Sequence, residues 1–216
     1  MRRTLAVAAS LTLLTAAACG GDPPAPPPTL TAEDLIASGP HDIAVIEVRD
    51  YGSIHIELLP ELAPKSVASF KKLAQEDFYA GTTFHRIIPN FMIQGGDPNS
   101  RDNDPRNDGE GGPAFTVPDE FSELPHERGV VSMANRGSID TGGSQFFIVL
   151  KESPHLNGGY SAFGRVVKGM DVVDRIAEVE RDVYGRYGPN DRPFPKDVVM
   201  ERVQIEPAAS EHAATP

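Results

Sequence analysis

Thr83-Phe84-His85-Arg86-Ile87-Ile88-Pro89-Asn90-Phe91-Met92-Ile93-Gln94-Gly95-Gly96-Asp97 reads as two short strands joined by a turn at Pro89-Asn90. Side chains alternate between the two faces of a strand, so in a paired arrangement Arg86 and Gln94 share a surface with Phe91 or Met92. That places a cation and an amide beside apolar walls. A lone arginine in a strand is usually a solvated edge residue. One bracketed by Phe and Met, with Gln close by, suits a pocket that requires one fixed hydrogen-bond donor.

Working outward, Ile43 to Val48 is a β-branched run, and after the turn signal Asp50-Tyr51-Gly52 the stretch Ser53 to Leu58 alternates polar with apolar. This pattern predicts a hairpin. Pro64 stands where a first helical turn tolerates it, and Val67, Phe70 and Ala74 then fall on one helix face, with Lys65, Lys71 and Lys72 elsewhere. A second amphipathic helix is predicted over Met170 to Ala177, with Met170, Val173 and Ile176 or Ala177 inward. Further short apolar runs lie at Thr83 to Ile88, Phe91 to Ile93, Val130 to Met133, Phe146 to Leu150, Ser161 to Val167 and Val198 to Ile205. Many short strands with only two helices indicate a β-barrel or sandwich with helices at its ends. The 20 Gly and 20 Pro among 216 residues argue the same way, since they favour turns over a helical bundle.

The ends of the chain read differently. Met1-Arg2-Arg3 followed by the uncharged stretch Leu5 to Ala18 has the basic and apolar regions of an export signal, and is too short to span a bilayer. It ends in Ala16-Ala17-Ala18-Cys19-Gly20, which resembles a bacterial lipobox, with Ala16 where Leu is usual. Residues 1–18 are therefore expected to be a signal peptide and Cys19 the lipidated N-terminus. The alternative is an ordinary signal-peptidase site and a soluble secreted protein. Residues 19–40 read as a tether, Pro-rich from Pro23 to Pro28, in which Thr31 is placed to cap a short helix. The globular domain is expected over 41–206 and a disordered tail over 207–216. Membrane contact would be through the anchor only, on the outer side of the cytoplasmic membrane or in the periplasm or outer membrane. The domain is expected to be a monomer.

The net charge of −11 and the lack of any Lys/Arg patch exclude nucleic acid as a natural partner. Cys19 is the sole cysteine, so neither an intramolecular disulfide nor a cysteine-based zinc site can form. Other motifs fail on their spacing. Gly142-Gly143-Ser144-Gln145-Phe146 lacks the last Gly of a nucleophile elbow, and His126-Glu127 lacks a second His. Asp102 to Glu110 is acidic, but no register puts acidic or amide ligands at the first, third and fifth calcium positions before the Gly, and it reads as a solvated loop. Gly109 to Ala114 imitates a dinucleotide loop without a preceding strand, and reads as a turn.

Phe84-His85-Arg86-Ile87-Ile88-Pro89-x-Phe91-Met92-x-Gln94-Gly95-Gly96-Asp97 resembles the signature of the cyclophilin-type peptidyl-prolyl cis-trans isomerases. Ser132-Met133-Ala134-Asn135, Gly143 to Ile148 and Phe163-Gly164-Arg165-Val166 resemble later blocks of that family in the same order. Ala63-Pro64-Lys65-Ser66-Val67-x-x-Phe70 resembles its first helix. The resemblance implies a closed eight-stranded antiparallel β-barrel capped by two α-helices, and isomerisation of Xaa-Pro bonds in polypeptides without metal or other cofactor. It further implies that Arg86 and Gln94 are catalytic, with Phe91, Met92, Phe147 and Leu156 forming the proline pocket. Gln94 and the backbone around Asn135 would hold the substrate chain, Ala134 would leave room for it, and Gln145 would join them. His85 would make supporting hydrogen bonds. Two departures fall on the rim. His155 stands where the family often has Trp, and Tyr160 where many members have His, so binding of the cyclic peptide cyclosporin is expected to be weakened. A different class, a noncatalytic module that grips proline segments as a chaperone, could dispense with Arg86.

Overall fold

The computed structural model describes residues 41–208 except 103, 187–189 and 195–196. The expected signal peptide, Cys19, the tether with its Thr31 helix, and the tail from 209 lie outside the described residues.

The predicted hairpin is formed by β1 (Ile43–Val48) and β2 (Gly52–Leu58), which pair antiparallel with Ile46 opposite Ile54. Helix α1 (Pro64–Gln75) starts at the predicted proline, and its first amides are satisfied from afar. The Glu120 carboxylate accepts from the backbone N–H of Lys65 at 3.0 Å and of Ser66 at 2.8 Å, placing a negative charge at the positive end of the helix. Val67, Phe70, Leu73 and Ala74 face inward at helical spacing. After β3 (Arg86–Ile88), β4 (Met92–Gly95), β5 (Val130–Met133), β6 (Phe146–Val149) and β7 (Ala162–Lys168) come α2 (Met170–Ala177), the two-residue strands β8 (Arg181–Asp182) and β9 (Arg192–Pro193), and β10 (Met200–Glu206). On α2 Val172, Val173 and Ile176 are buried and Met170 and Ala177 are half-buried against the same core, so the expected inward face is kept and Val172 is added to it.

The main sheet has eight strands in the order β10-β1-β2-β7-β5-β6-β4-β3. It curls around one core but does not close, which corrects the expected closed barrel. The edge strands β10 and β3 share no ladder. They approach through an isolated bridge between Thr83 and Val199, where Phe84 N–H donates to Val198 O at 2.9 Å, Met200 N–H to Thr82 O at 2.8 Å and Gly81 N–H to Met200 O at 2.8 Å. Two features keep the seam open. Strand β3 has three residues, and its outward edge is already occupied: Ile87 N–H donates to Asp191 O at 2.8 Å, and Arg181 Nη1 donates to Ile87 O at 3.2 Å. The β8–β9 hairpin thus sits where β10 would have to pair.

Strands β4, β5 and β6 send side chains into two separate apolar clusters. Ile93, Val131, Met133, Phe146 and Ile148 join the inner core beneath both helices, where Phe70 meets Tyr79, Phe146 and Phe163 at centroid distances of 5.0, 5.5 and 5.2 Å. The alternate residues Met92, Val130, Phe147 and Val149 form an outer cluster with Leu59, Leu124, Leu156 and Ala162. A sheet covered on both faces explains why β5 and β6 are buried at every position.

Candidate active site on the outer face

The register of the sheet builds the site. Arg86 pairs with Gln94 across β3 and β4, Gln94 with Phe147 across β4 and β6, and Phe147 with Ser132 across β6 and β5. Residues directly opposite one another share a face, so these four side chains form one row on the outer surface. The turn Ile88 to Phe91 joins the strands, closed by Phe91 N–H donating to Ile88 O at 3.1 Å, with Asn90 at φ 59°. Proline in the second place and a residue tolerant of positive φ in the third suit this turn. The turn brings Phe91 round to the end of the row, beside Met92.

The row lies along a cavity of about 420 Å³ lined by His85, Arg86, Phe91, Met92, Gln94, Asp108, Gly109, Glu110, Ala134, Asn135, Phe147, Leu156 and Tyr160. Its apolar side is built by Phe91, Met92, Phe147, Leu156 and Tyr160, where Phe147 meets Tyr160 edge-on at 5.3 Å and Met92 and Leu156 are both buried, while Gln94, Asn135, Asp108 and Glu110 make the other side polar. Arg86 is exposed at the mouth, with Nη1 3.5 Å from Gln94 Oε1. Gln94 Nε2 donates to Gln145 Oε1 at 2.9 Å, and Gln145 Nε2 donates to the carbonyls of Gly109 and Gly111 at 2.9 and 2.8 Å. Amide thus follows amide from the cation to the loop at the opposite rim.

Two expected residues sit elsewhere. Gln145 lines a neighbouring, larger cavity of about 990 Å³ rather than the smaller one. His155 lines neither, and packs its ring against Phe91 at 5.3 Å. His85 is buried in the lining of the cavity, with the Thr83 backbone and the Gln145 side chain beside its ring. Burial pushes its imidazole down to about 4, against the opposing pull of the Asp97 carboxylate. It is neutral near pH 7.

The acidic stretch after Asp97 is only partly the solvated loop expected from its composition. Asp97 is fully buried, and its carboxylate collects the N–H groups of Asn99 at 2.8 Å, Gly111 at 3.3 Å, and Gly109. These bonds fold the loop back over the site. Asp108 is buried with it, and desolvation raises its carboxyl to about 6 although Arg192 is close by. Gly96, at φ 86°, admits the close approach of chains this requires, since a Cβ there would lie 2.6 Å from Ser144 O. Asp108, Gly109 and Glu110 escape the sequence reading as lining residues because contacts across 12 or more residues of chain bring them in, from the Asp97 carboxylate and from Gln145 Nε2 to the carbonyls of Gly109 and Gly111.

The curled antiparallel sheet with its two helices is shared with proteins of known activity. The model of the cyclophilin type peptidyl-prolyl cis-trans isomerase family matches residues 43–205, and the chain belongs to that family. It is a cyclophilin-type peptidyl-prolyl cis-trans isomerase. Peptidyl-prolyl cis-trans isomerase B of Bacillus subtilis is 49% identical over 132 residues, 60% of this chain and 87% of that protein. A probable peptidyl-prolyl cis-trans isomerase of Brucella suis is 43% identical over 145 residues, 65% of this chain and 74% of that protein. Among solved structures, a cyclophilin type isomerase of Cryptosporidium parvum has a TM-score of 0.67 at 30% identity, covering 76% of this chain and 97% of that one. The same Cryptosporidium protein crystallised in the presence of the dipeptide Ala-Pro has a TM-score of 0.66.

Proposed function

We propose that the domain turns Xaa-Pro bonds of extended or unfolded exported chains by lodging the proline ring against Phe91, Met92, Phe147 and Leu156 while Arg86 donates to the prolyl nitrogen. Rotation about a peptide bond breaks no covalent bond, but the partial double-bond character sets a barrier of about 18–20 kcal/mol. In the twisted state the nitrogen is pyramidal and basic, so a donor aimed at it stabilises that state more than either planar isomer. A guanidinium suits the task because it stays charged at every relevant pH and its fork is rigid. No metal or other cofactor enters this scheme.

The observation that carries the reading is the position of Arg86 at the mouth of an apolar cavity, next to an amide chain that steadies it. Gln94 and Asn135 hold the substrate backbone. Among the described residues the Asn135 backbone makes no hydrogen bond, while its side chain is engaged by Gly159 O and Gly137 N–H at 3.2 and 3.1 Å. Replacing Arg86 by Ala is expected to lower the isomerisation rate tenfold or more, about 1.4 kcal/mol of transition-state stabilisation, with Tm unchanged. An unchanged rate in a folded Arg86→Ala protein, measured by NMR exchange, would leave a proline-gripping module rather than this mechanism.

We further propose that Cys19 carries lipid and holds the isomerase outside the cytoplasmic membrane. The support is the position of the only cysteine after three alanines at the end of a short apolar run. Several acyl chains make membrane residence stable where one does not. Mass spectrometry of the native N-terminus is expected to find an acylated Cys19. An unmodified terminus in the soluble fraction would mean a secreted enzyme.

A further inference from the structure

His126 lies outside the cavity lining, yet it is 2% exposed and surrounded by the parts that form the proline pocket. Its ring stacks on Phe147 at a centroid distance of 6.2 Å with 22° between planes, and meets Tyr160 edge-on at 6.5 Å. Its backbone and side chain also grip both ends of the 3-10 turn Pro154–Leu156, which delivers Leu156 to the pocket and His155 to the rim. At the start of the turn, Ser153 N–H donates to His126 O at 2.9 Å. At its end, Asn157 Oδ1 accepts from His126 N–H at 2.9 Å and lies 3.0 Å from His126 Nδ1.

These contacts fix the tautomer. An atom that accepts a backbone N–H must be the amide oxygen, so Nδ1 beside it has to carry the ring proton. Nε2 is then an acceptor, and Ser132 Oγ at 2.9 Å donates to it. Ser132 is the residue opposite Phe147 in the sheet. One neutral ring therefore connects β5, the back of Phe147 and the turn bearing Leu156. Burial lowers the pKa of this imidazole, which keeps it in the neutral form that the arrangement requires.

We infer that His126 is a positioning residue for the proline pocket, holding Phe147 and the Leu156 turn at a fixed separation. The inference rests on the reading of the cavity as the proline site. The electrostatic donor Arg86 lies at the other end of the row, so His126 acts on binding of the ring and not on the twisted amide.

The test uses the full chain and a short Ala-Pro-containing peptide, with Kd from an NMR titration and KM and kcat from exchange rates. His126→Phe keeps a stacked ring and removes both ring hydrogen bonds. It is expected to raise Kd and KM about fivefold with kcat within about twofold, the pattern of lost uniform binding. Asn157 is exposed, so Asn157→Ala gives an independent variant if His126→Phe does not fold, and about a threefold rise in KM is expected. Loss of folded protein alone would lower apparent kcat and leave KM in place. Unchanged Kd and KM, or a fall in kcat per folded molecule at constant KM, would overturn the inference, as would imidazole nitrogen shifts showing an Nε2–H tautomer. Wild-type protein that neither binds nor isomerises the peptide would instead overturn the reading of the cavity, and this inference with it.

Discussion

Phe146 and Phe147 are neighbours on one strand and belong to different halves of the molecule. Phe146 enters the inner core, edge-on to Phe70, Tyr79 and Phe84 at 5.5, 5.9 and 6.2 Å. Phe147 joins the outer cluster and lines the cavity. Both are nearly inaccessible, at 0% and 5% exposure, so burial alone does not distinguish them. What separates them is the two-residue period of the strand: one side holds the sheet in shape and the other presents a surface that a ligand completes.

The most severe way to break that comparison is to truncate each ring in turn. Phe146→Ala is expected to cost about 3–5 kcal/mol of stability, because the cavity it leaves is enclosed by other aromatic rings. Phe147→Ala leaves a gap open to solvent and should fall at or below the lower end of that range, while KM for an Ala-Pro peptide rises about fivefold or more. Urea denaturation together with exchange kinetics separates the two effects. Equal stability losses with no difference in KM would show that the faces do not divide the work in this way.

A second test uses pH, because His85, Asp108 and His126 all lie about the site. His85 has a folded pKa of about 4, below its usual 6.5, so the unfolded chain binds the proton more readily between those values. Stability from this group is full above about 6.5 and declines as pH falls to about 4. His126, also lowered, acts in the same direction. Asp108 opposes them. Its folded pKa of about 6 exceeds the usual 3.8, so the folded state holds the proton longer and stability declines as pH rises through that window. The contributions offset one another in the wild type between about pH 4 and 6. Asp108→Asn removes the opposing one and should steepen the acid loss of Tm measured by calorimetry. An identical pH profile in the variant would refute this account.

The smallest effect is expected at the rim. His155 packs on Phe91 at 5.3 Å and is exposed, and an indole there adds contact area and a donor. His155→Trp should tighten cyclosporin binding by about 0.5–1.5 kcal/mol, roughly two- to tenfold, with Tm little changed. Calorimetric affinities that do not move would mean that this position does not limit the complex.

Legibility followed the range of the interactions. The hairpin, both helices and the main-sheet strands were readable because each is encoded by neighbours two to four residues apart, as in Ser53 to Leu58 or Val67 to Ala74. That Arg86, Gln94 and Met92 share one face followed from the local turn at Pro89-Asn90 and the alternation of that strand pair. The parts that escaped depend on distant partners. Nothing local marks Asp97 as the anchor for Gly109 and Gly111, or Asn157 as the partner of His126. The two-residue strands β8 and β9 are too short to carry a period, and without them the open seam of the sheet could not be foreseen.

That hairpin has a consequence for an enzyme that handles unfolded chains. A bare edge strand offers its amides and carbonyls as a template to any extended polypeptide, and the captured chain becomes an added strand. At β3 the template is already filled, since Ile87 N–H and O are bound by Asp191 and Arg181. A client passing the Arg86 cavity therefore finds no vacant ladder on β3 beside it, and its backbone is not drawn into lasting sheet pairing there while its proline turns over.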